Sequence, residues 1–356
     1  MPDHSPAPHV EPLVRAAWLI AAVAIGSVLV LGRDVLVPMA IAVIVWSLVN
    51  GLASTVIAAG RRLAADAPAL PRPIAQVVAV SIVAWAGWVI VDIVVDNVGR
   101  IVDAAPGYRN ALDRSLPLFA AKLGIDRPTL FEDVAAKVPL GDVVRRLASG
   151  FTDVAQTAAL VLVYVVFLLL EQRRFDQKLD LLYTTPDGAT AARAALADLQ
   201  ARIETYVRVK TATSLLTGGT SWLVLWLFGV DFAAFWALII FLLNYIPTIG
   251  SLVGVVFPTL LTLAQFGEPA TTVAVGALLG TIQILIGNVI EPPLMGSSLN
   301  LSPFVVMASL ATWGTMWGVA GMFLCVPLTM ILVMVLARFP TSRPLAVLLS
   351  QNGRLD

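Results

Sequence analysis

The chain has 356 residues, 58% of them hydrophobic and 13% charged, with a mean hydropathy of +0.88. Soluble domains carry about 25% charged and 45–50% apolar residues, so this composition excludes an ordinary soluble protein and marks a polytopic membrane protein. The formal net charge is zero, which gives nucleic acid no electrostatic handle. The single cysteine, Cys325, excludes an intrachain disulfide or a thiolate metal cluster.

Spanning helices need about 20 mostly apolar residues, and the runs here have helical length. Residues 1–12 form a Pro-rich tail, expected to be disordered, that holds both histidines, His4 and His9. No cleavable signal peptide is evident. Three spans are expected within 13–95: about Leu13–Leu31, Val35–Ala58 and Ile74–Val95. A polar segment, 96–150, has apolar residues at helical spacing and reads as a small helical domain outside the bilayer. A fourth span, about Thr152–Leu170, ends in Glu171-Gln172-Arg173-Arg174. With the amphipathic stretch up to Lys210 it makes a unit over 151–210. Ala189–Lys210 alternates charge and runs into the apolar Thr211–Phe228, which predicts one long helix entering the membrane.

Loop arginines and lysines set orientation. Arg61, Arg62 and Arg72 share one loop, seven residues from Arg173 to Lys210 share another, and Arg338, Arg343 and Arg354 close the chain. All three groups fall on one side if the N-terminus does too. Both termini, including the tail 340–356, are therefore expected to be cytoplasmic and the domain at 96–150 extracytoplasmic.

The stretch 211–339 differs in kind, because its apolar runs are repeatedly interrupted. Asn244-Tyr245-Ile246-Pro247-Thr248-Ile249-Gly250 breaks one, Glu291-Pro292-Pro293-Leu294-Met295-Gly296 ends another, and Trp313-Gly314-Thr315-Met316-Trp317-Gly318 splits a third. Phe232–Leu243 and Pro303–Thr312 are too short to span, as re-entrant half-helices are. Proline removes a backbone donor, so Pro292 and Pro293 are expected to stop the helix that brings in Glu291. A carboxylate at membrane depth is costly and is by default a functional residue. Its bland alternative is a cap on neighbouring backbone. Paired interrupted segments point to a midplane binding site, and the two Asn-before-Pro strings around Asn244 and Asn288 resemble each other. Glu291, Asn288, Asn244 and Gln283 are the candidate ligands for substrate or ion. For the amides the alternative is interhelical hydrogen bonding. Pro247, Gly250, Pro258, Pro292, Pro293, Gly296, Pro303, Gly314, Gly318 and Pro327 shape the breaks, and Gly250-x3-Gly254, Gly276-x3-Gly280 and Gly314-x3-Gly318 permit close helix contact. Asp92 and Asp96, near the outer end of the third span, read as interfacial or as part of an ion path. No phosphate loop, zinc-binding His pair or nucleophile–base couple is present, so neither an enzyme nor a cofactor or metal site is expected.

The string Asn244-Tyr245-Ile246-Pro247-x-Ile249-Gly250-x3-Gly254-x3-Pro258 resembles a hallmark of the autoinducer-2 exporter family, also described as PerM-like permeases. So do Gly287-Asn288-x-Ile290-Glu291-Pro292-x-Leu294-Met295-Gly296, Leu299-x-Leu301-Ser302-Pro303, and Trp313-Gly314-x2-Trp317-Gly318-x2-Gly321-Met322-x-Leu324-x-Val326-Pro327-Leu328. The resemblance implies a bacterial inner-membrane, multi-pass protein with about eight transmembrane helices. Broken or re-entrant hairpins would fill its C-terminal third, beside a small helical extramembrane domain. It also implies homo-oligomers, pentamers by family, with a pathway in each protomer and an elevator-like sliding of the hairpins.

The resulting expectation is secondary export of a small polar solute, autoinducer-2 foremost, with proton or sodium as coupling ion and the lipid bilayer as surroundings. Two alternatives stay open: a sodium (cation)/proton antiporter using Glu291 as ion ligand, and a non-transporting membrane scaffold displaying 96–150 to a partner.

Overall fold

The computed structural model describes residues 11–63, 70–122, 158–172, 174–182, 186–296 and 300–353. These residues are helical almost throughout, and among them the only β pairing is a single bridge between Leu301 and Ser350. Among the described residues five helical stretches are long and apolar enough to cross a membrane, one of them, Pro303–Arg338, broken at Gly318, and two apolar helices are shorter. The protein is an all-α polytopic membrane protein.

Helices α1 (Glu11–Leu31), α2 (Arg33–Leu63) and α3 (Arg72–Lys122) come first. Helix α3 has 51 residues, or ~75 Å at 1.5 Å per residue, well beyond the ~30 Å hydrocarbon core. The expected third span is only its first part, and the start of the segment 96–150 prolongs the same helix. The rest of that segment and the first residues of the expected fourth span lie outside the described residues. Helix α4 covers Ala158–Glu171. Ala42 and Ala53 on α2, Ala75 and Ala79 on α3, and Val161 and Val165 on α4 form one core. Small side chains bring the helix backbones close, which is what drives packing where lipid is as apolar as leucine.

A short helix, α5 (Phe175–Leu182), leads to α6 (Pro186–Leu227). The long helix expected from Ala189 into the apolar run is therefore continuous. Helix α6 is the spine of the second core and touches α2, α5, α7, α9, α10 and α11. Gly218 faces α7 where a Cβ would meet the Ala237 carbonyl oxygen at 3.0 Å.

Two helical hairpins follow, inserted from opposite sides. Helix α7 (Ala233–Leu243) and helix α8 (Ile249–Phe266) pack on each other around the reversal at 244–248. Their open ends are tied together, because Gln265 accepts from the Asp231 amide at 2.8 Å and donates to the Gly229 carbonyl at 2.9 Å. At the tip Thr248 has φ 61° and ψ −43°. Gly250 comes so near that a Cβ would lie 2.0 Å from the Leu243 oxygen. Only glycine allows a backbone approach that close.

Helix α9 (Pro269–Ile284) then returns across the bundle, passes through a π-helical turn, Leu285–Ile290, and ends in α10 (Glu291–Met295). The expectation that Pro292 and Pro293 stop this helix is corrected here. The Glu291 amide bonds to the Ile286 carbonyl, five residues back. Widening to the π pattern lets the path absorb two residues that cannot donate and whose rings crowd the preceding carbonyls. Termination comes one turn later, at Gly296, with φ 56°.

Helix α11 (Pro303–Arg338) starts on a Ser302 cap, whose Oγ accepts from the Val305 amide at 3.2 Å. It is two helices, because Gly318 has φ 61° and ψ −140°. A Cβ on Gly321 would lie 1.9 Å from the Trp313 oxygen. Eight residues of straight helix would separate those positions by ~12 Å, so the chain folds back at Gly318. This second hairpin opens beside α12 (Arg343–Leu349), at the end that carries Arg338. The tips meet inside the bundle, where Tyr245 of the first stacks on Phe323 of the second with centroids 4.5 Å apart. Thus the interruptions at 244–250 and 313–318 are hairpin tips. Asn288 instead lies in the π turn of a crossing helix, so the two Asn-before-Pro strings are not structural equivalents.

Candidate functional site: a buried ion pair where the breaks converge

Glu291 is not a bare carboxylate. Lys210 Nζ lies 2.6 Å from its Oε1, and Thr213 Oγ1 donates to its Oε2 at 3.1 Å. The two charged side chains are 11% and 16% exposed. Helix geometry explains the meeting: Lys210 and Thr213 are three apart on one face of α6, and that face packs on the π turn and α10. A charge buried in apolar surroundings must be paired and hydrogen-bonded to persist, and both conditions hold here. The site is therefore net neutral.

The same face of α6 holds the first hairpin tip. Asn244 Nδ2 donates to Ser214 Oγ at 2.9 Å. Thr211 Oγ1 already donates to the Val207 carbonyl at 2.7 Å, so the Tyr245 hydroxyl donates to it across 2.6 Å. Tyr206, Lys210, Thr213, Ser214, Thr217 and Ser221 form a buried polar stripe at helical spacing. Within it the Tyr206 hydroxyl and Ser221 Oγ have no hydrogen-bond partner among the described residues.

The predicted site residues divide. Glu291 and Asn244 are brought to one helix face. Gln283 sits two turns before Glu291, its amide against Gly254, where a Cβ would lie 3.1 Å from Nε2. Asn288 is exposed on the π turn and lies off the ion pair. Among the shaping residues, Pro247 and Gly250 build the first tip and Gly314 and Gly318 the second. Pro258 and Pro327 are buried inside helices α8 and α11, Pro303 opens α11, and Pro292, Pro293 and Gly296 form the last turn and stop of α10. Lys210, Thr211, Thr213, Ser214, Tyr206 and Tyr245 were not among the predicted ligands. Lys210, expected in a cationic loop, is instead buried. The available signal was the polar stripe, hydroxyls every three or four residues within an apolar run.

Depth follows from helix rise. Lys210 stands ~26 Å below Leu227, the far end of α6, and Ser214 ~20 Å below it. The ion pair thus lies toward the arginine-rich end and the Asn244–Ser214 contact nearer the middle.

Two clefts lie among the arginines that flank the loop after α2 and those of α6. Arg62 and Arg208 share one cleft with Glu204, while Arg72 and Arg193 line another with Glu171 and Ile331.

Residues 18–340 match the family model described as AI-2E family transporter. The AI-2 transport protein TqsA of Escherichia coli K12 is 31% identical over 294 residues, covering 80% of this chain and 83% of the relative. YhhT of the same strain, by name a transport protein with no substrate given, is 31% identical over 265 residues, 72% of this chain and 74% of its own. PerM, a permease by name, is 26% identical over 249 residues, 66% of this chain and 69% of its own. These matches agree with a multi-pass membrane protein whose C-terminal third is built of broken helices, and the chain belongs to the AI-2E family of bacterial transporters.

Proposed function

We propose that the protein is a secondary transporter that exports a small polar solute across the bacterial inner membrane, with autoinducer-2 the leading candidate. The observation that carries this reading is the buried Lys210–Glu291 pair, set where α6, the π turn and the hairpin tips converge. The name of TqsA supports the choice of solute. Each protomer of a homo-oligomer, a pentamer by family, holds its own site, and both termini are cytoplasmic. Asn244 and Glu291 bind solute or proton, with Gln283 and Asn288 along the helix that leads to them.

The pair changes what a proton does. Read alone, protonated Glu291 would cross the barrier more cheaply as a neutral group. Beside Lys210 the resting site is already neutral, so a proton on Glu291 instead frees an ammonium group with three donors. That ammonium then engages the oxygens of the solute, and proton entry and solute binding favour each other. The sodium/proton reading finds less support, since Lys210 already stands where a coordinated cation would sit. Among the described residues no group of three acidic, His or Cys side chains could hold an ion.

The test is flux in proteoliposomes with and without a proton gradient, offering labelled autoinducer-2 and sodium in parallel. Gradient-dependent solute flux that Glu291→Gln abolishes is the expected result. A Glu291→Gln variant whose flux and pH dependence match wild type refutes the site. Sodium-driven proton movement without solute flux establishes antiport instead.

A further inference from the structure

The cleft that holds Arg72 and Arg193, of about 670 Å³, lies away from the ion pair between α2, α3, α4, α5, α6 and α11. It is amphipathic from end to end. Leu168, Leu196 and Ile331 line its apolar part, and Arg72, Arg193, Gln172 and the carboxylate of Glu171 its polar part. The amide of Gln172 is fixed: its Oε1 accepts from Trp46 Nε1 at 3.0 Å and from Asn50 Nδ2 at 3.3 Å. Asn50 in turn accepts from Gln76 at 3.0 Å. With its oxygen committed, Gln172 keeps its NH2 donors for the cavity.

Charge at the mouth is in surplus. Lys178 pairs with Glu171 and Arg193 with Asp180. Arg174 adds a further positive charge beside Glu171, and Arg72 has no ion-pair partner among the described residues. Helix α5, on the rim, projects Leu181 and Leu182 outward, 87% and 74% exposed. Exposed leucines on one short helix with Lys178, and Arg174 just before it, are the pattern of a segment lying in the headgroup layer. At that depth lipid, not a dissolved solute, is the abundant molecule.

We propose that this cavity binds one anionic phospholipid per protomer, its phosphate against Arg72 and the Gln172 amide and an acyl chain along Leu168, Leu196 and Ile331. Guanidinium matches phosphate in shape and charge, and basic pockets between membrane helices on the positive side select anionic headgroups. The volume lies within the range of about 300–1,000 Å³ typical of ligand pockets. The site is independent of the transport reading.

Native mass spectrometry of the purified full chain tests it, by titration with phosphatidylglycerol and with phosphatidylcholine of the same chains, and with sodium phosphate as competitor. Wild type is expected to retain one phosphatidylglycerol per protomer in preference to phosphatidylcholine. Arg72→Gln is expected to weaken that retention about tenfold, the loss of one hydrogen bond to a charged group, and to narrow the preference over phosphatidylcholine, which carries the same phosphate but whose choline cation is disfavoured by the surplus positive charge. Ala197→Trp adds bulk from an exposed position of the cavity wall, and should lower occupancy by both lipids even if Arg72→Gln does not fold. Equal retention of the two lipids by wild type, or phosphatidylglycerol binding unchanged in both variants, overturns the proposal. Displacement of the lipid by millimolar phosphate overturns it too, in favour of a free-anion site.

Discussion

Neutralising one member of the buried pair should cost far more than neutralising both. At an effective dielectric of 20 and a charge separation of ~4 Å, the attraction between Lys210 and Glu291 is about 4 kcal/mol. Both side chains are largely buried, so water offers the survivor little. Removing one partner of such a pair destabilises by about 3–5 kcal/mol, chiefly because the other charge is left uncompensated. Glu291→Gln is the sharper of the two single changes, since it keeps the shape and retains an oxygen for Thr213. Lys210→Met removes the other charge at similar length. Unfolding of detergent-solubilised protein should show both singles destabilised by that amount and the double variant recovering at least ~2 kcal/mol relative to their sum. Single variants each within ~1 kcal/mol of wild type, with additive effects in the double, would refute the idea that the charges compensate one another in an apolar site.

Other perturbations follow from the backbone and the far end of the bundle. Gly318→Ala places a side chain in a region of φ,ψ that glycine alone populates readily, at a cost of about 1–3 kcal/mol. Gly321→Ala drives a Cβ into the Trp313 oxygen. Both should open the second hairpin, read as a changed indole emission from Trp313 and Trp317 together with lost flux. Asn244→Ala removes the bond that holds the first tip to Ser214, and should lower solute affinity while destabilising by about 1 kcal/mol. Outside the membrane-spanning part of α3, Tyr108 donates to Asp231 at 2.7 Å. Partial burial first, then the Asp231 acceptor and its charge, raise the Tyr108 pKa. A raised phenol pKa contributes stability that is complete below the unfolded value of ~10 and is lost as pH rises through the folded value. Tyr108→Phe should therefore cost ~0.5–1 kcal/mol below pH ~10, exposure having reduced the bond. Its stability should also fall less than that of wild type at more alkaline pH, as alkaline melting curves would show.

The breaks were legible because proline, glycine and asparagine state their geometry locally. Asn244 to Gly250 and Trp313 to Gly318 announce interruptions whatever surrounds them, and each became a hairpin tip. The effect of the prolines at 292 and 293 is not fixed locally in the same way. A missing donor says that the α pattern must change, not that the helix must end, and neighbouring elements decided for a π turn. The ion pair was not legible in the same way. Glu291 and Lys210 are 81 residues apart, and nothing in either local string names the other. Position relative to the apolar run placed Lys210 among the loop cations, although Thr213, Ser214, Thr217 and Ser221 one to three turns on repeat at helical spacing. A stripe of hydroxyls inside an apolar helix has to face something other than lipid, and that rule would have turned Lys210 inward as well.

The placement of the pair also bears on which elements can move. Lys210 belongs to α6, which packs against nearly every neighbouring helix, whereas Glu291 belongs to a five-residue helix hung between a π turn and Gly296. A shift of the first hairpin together with α9 and α10 against α6 by one helical turn, about 5.4 Å, would separate Lys210 from Glu291, Thr211 from Tyr245 and Ser214 from Asn244 together. In the proposed mechanism these bonds are therefore the lock of the resting state. Solute oxygens and a proton on Glu291 must replace them before the tips can slide, because two bare charges in an apolar bundle would raise the barrier by several kcal/mol. The stability cost of Glu291→Gln and its effect on flux then have a common origin. A variant that loses the first without the second would show that the pair holds the fold and takes no part in transport.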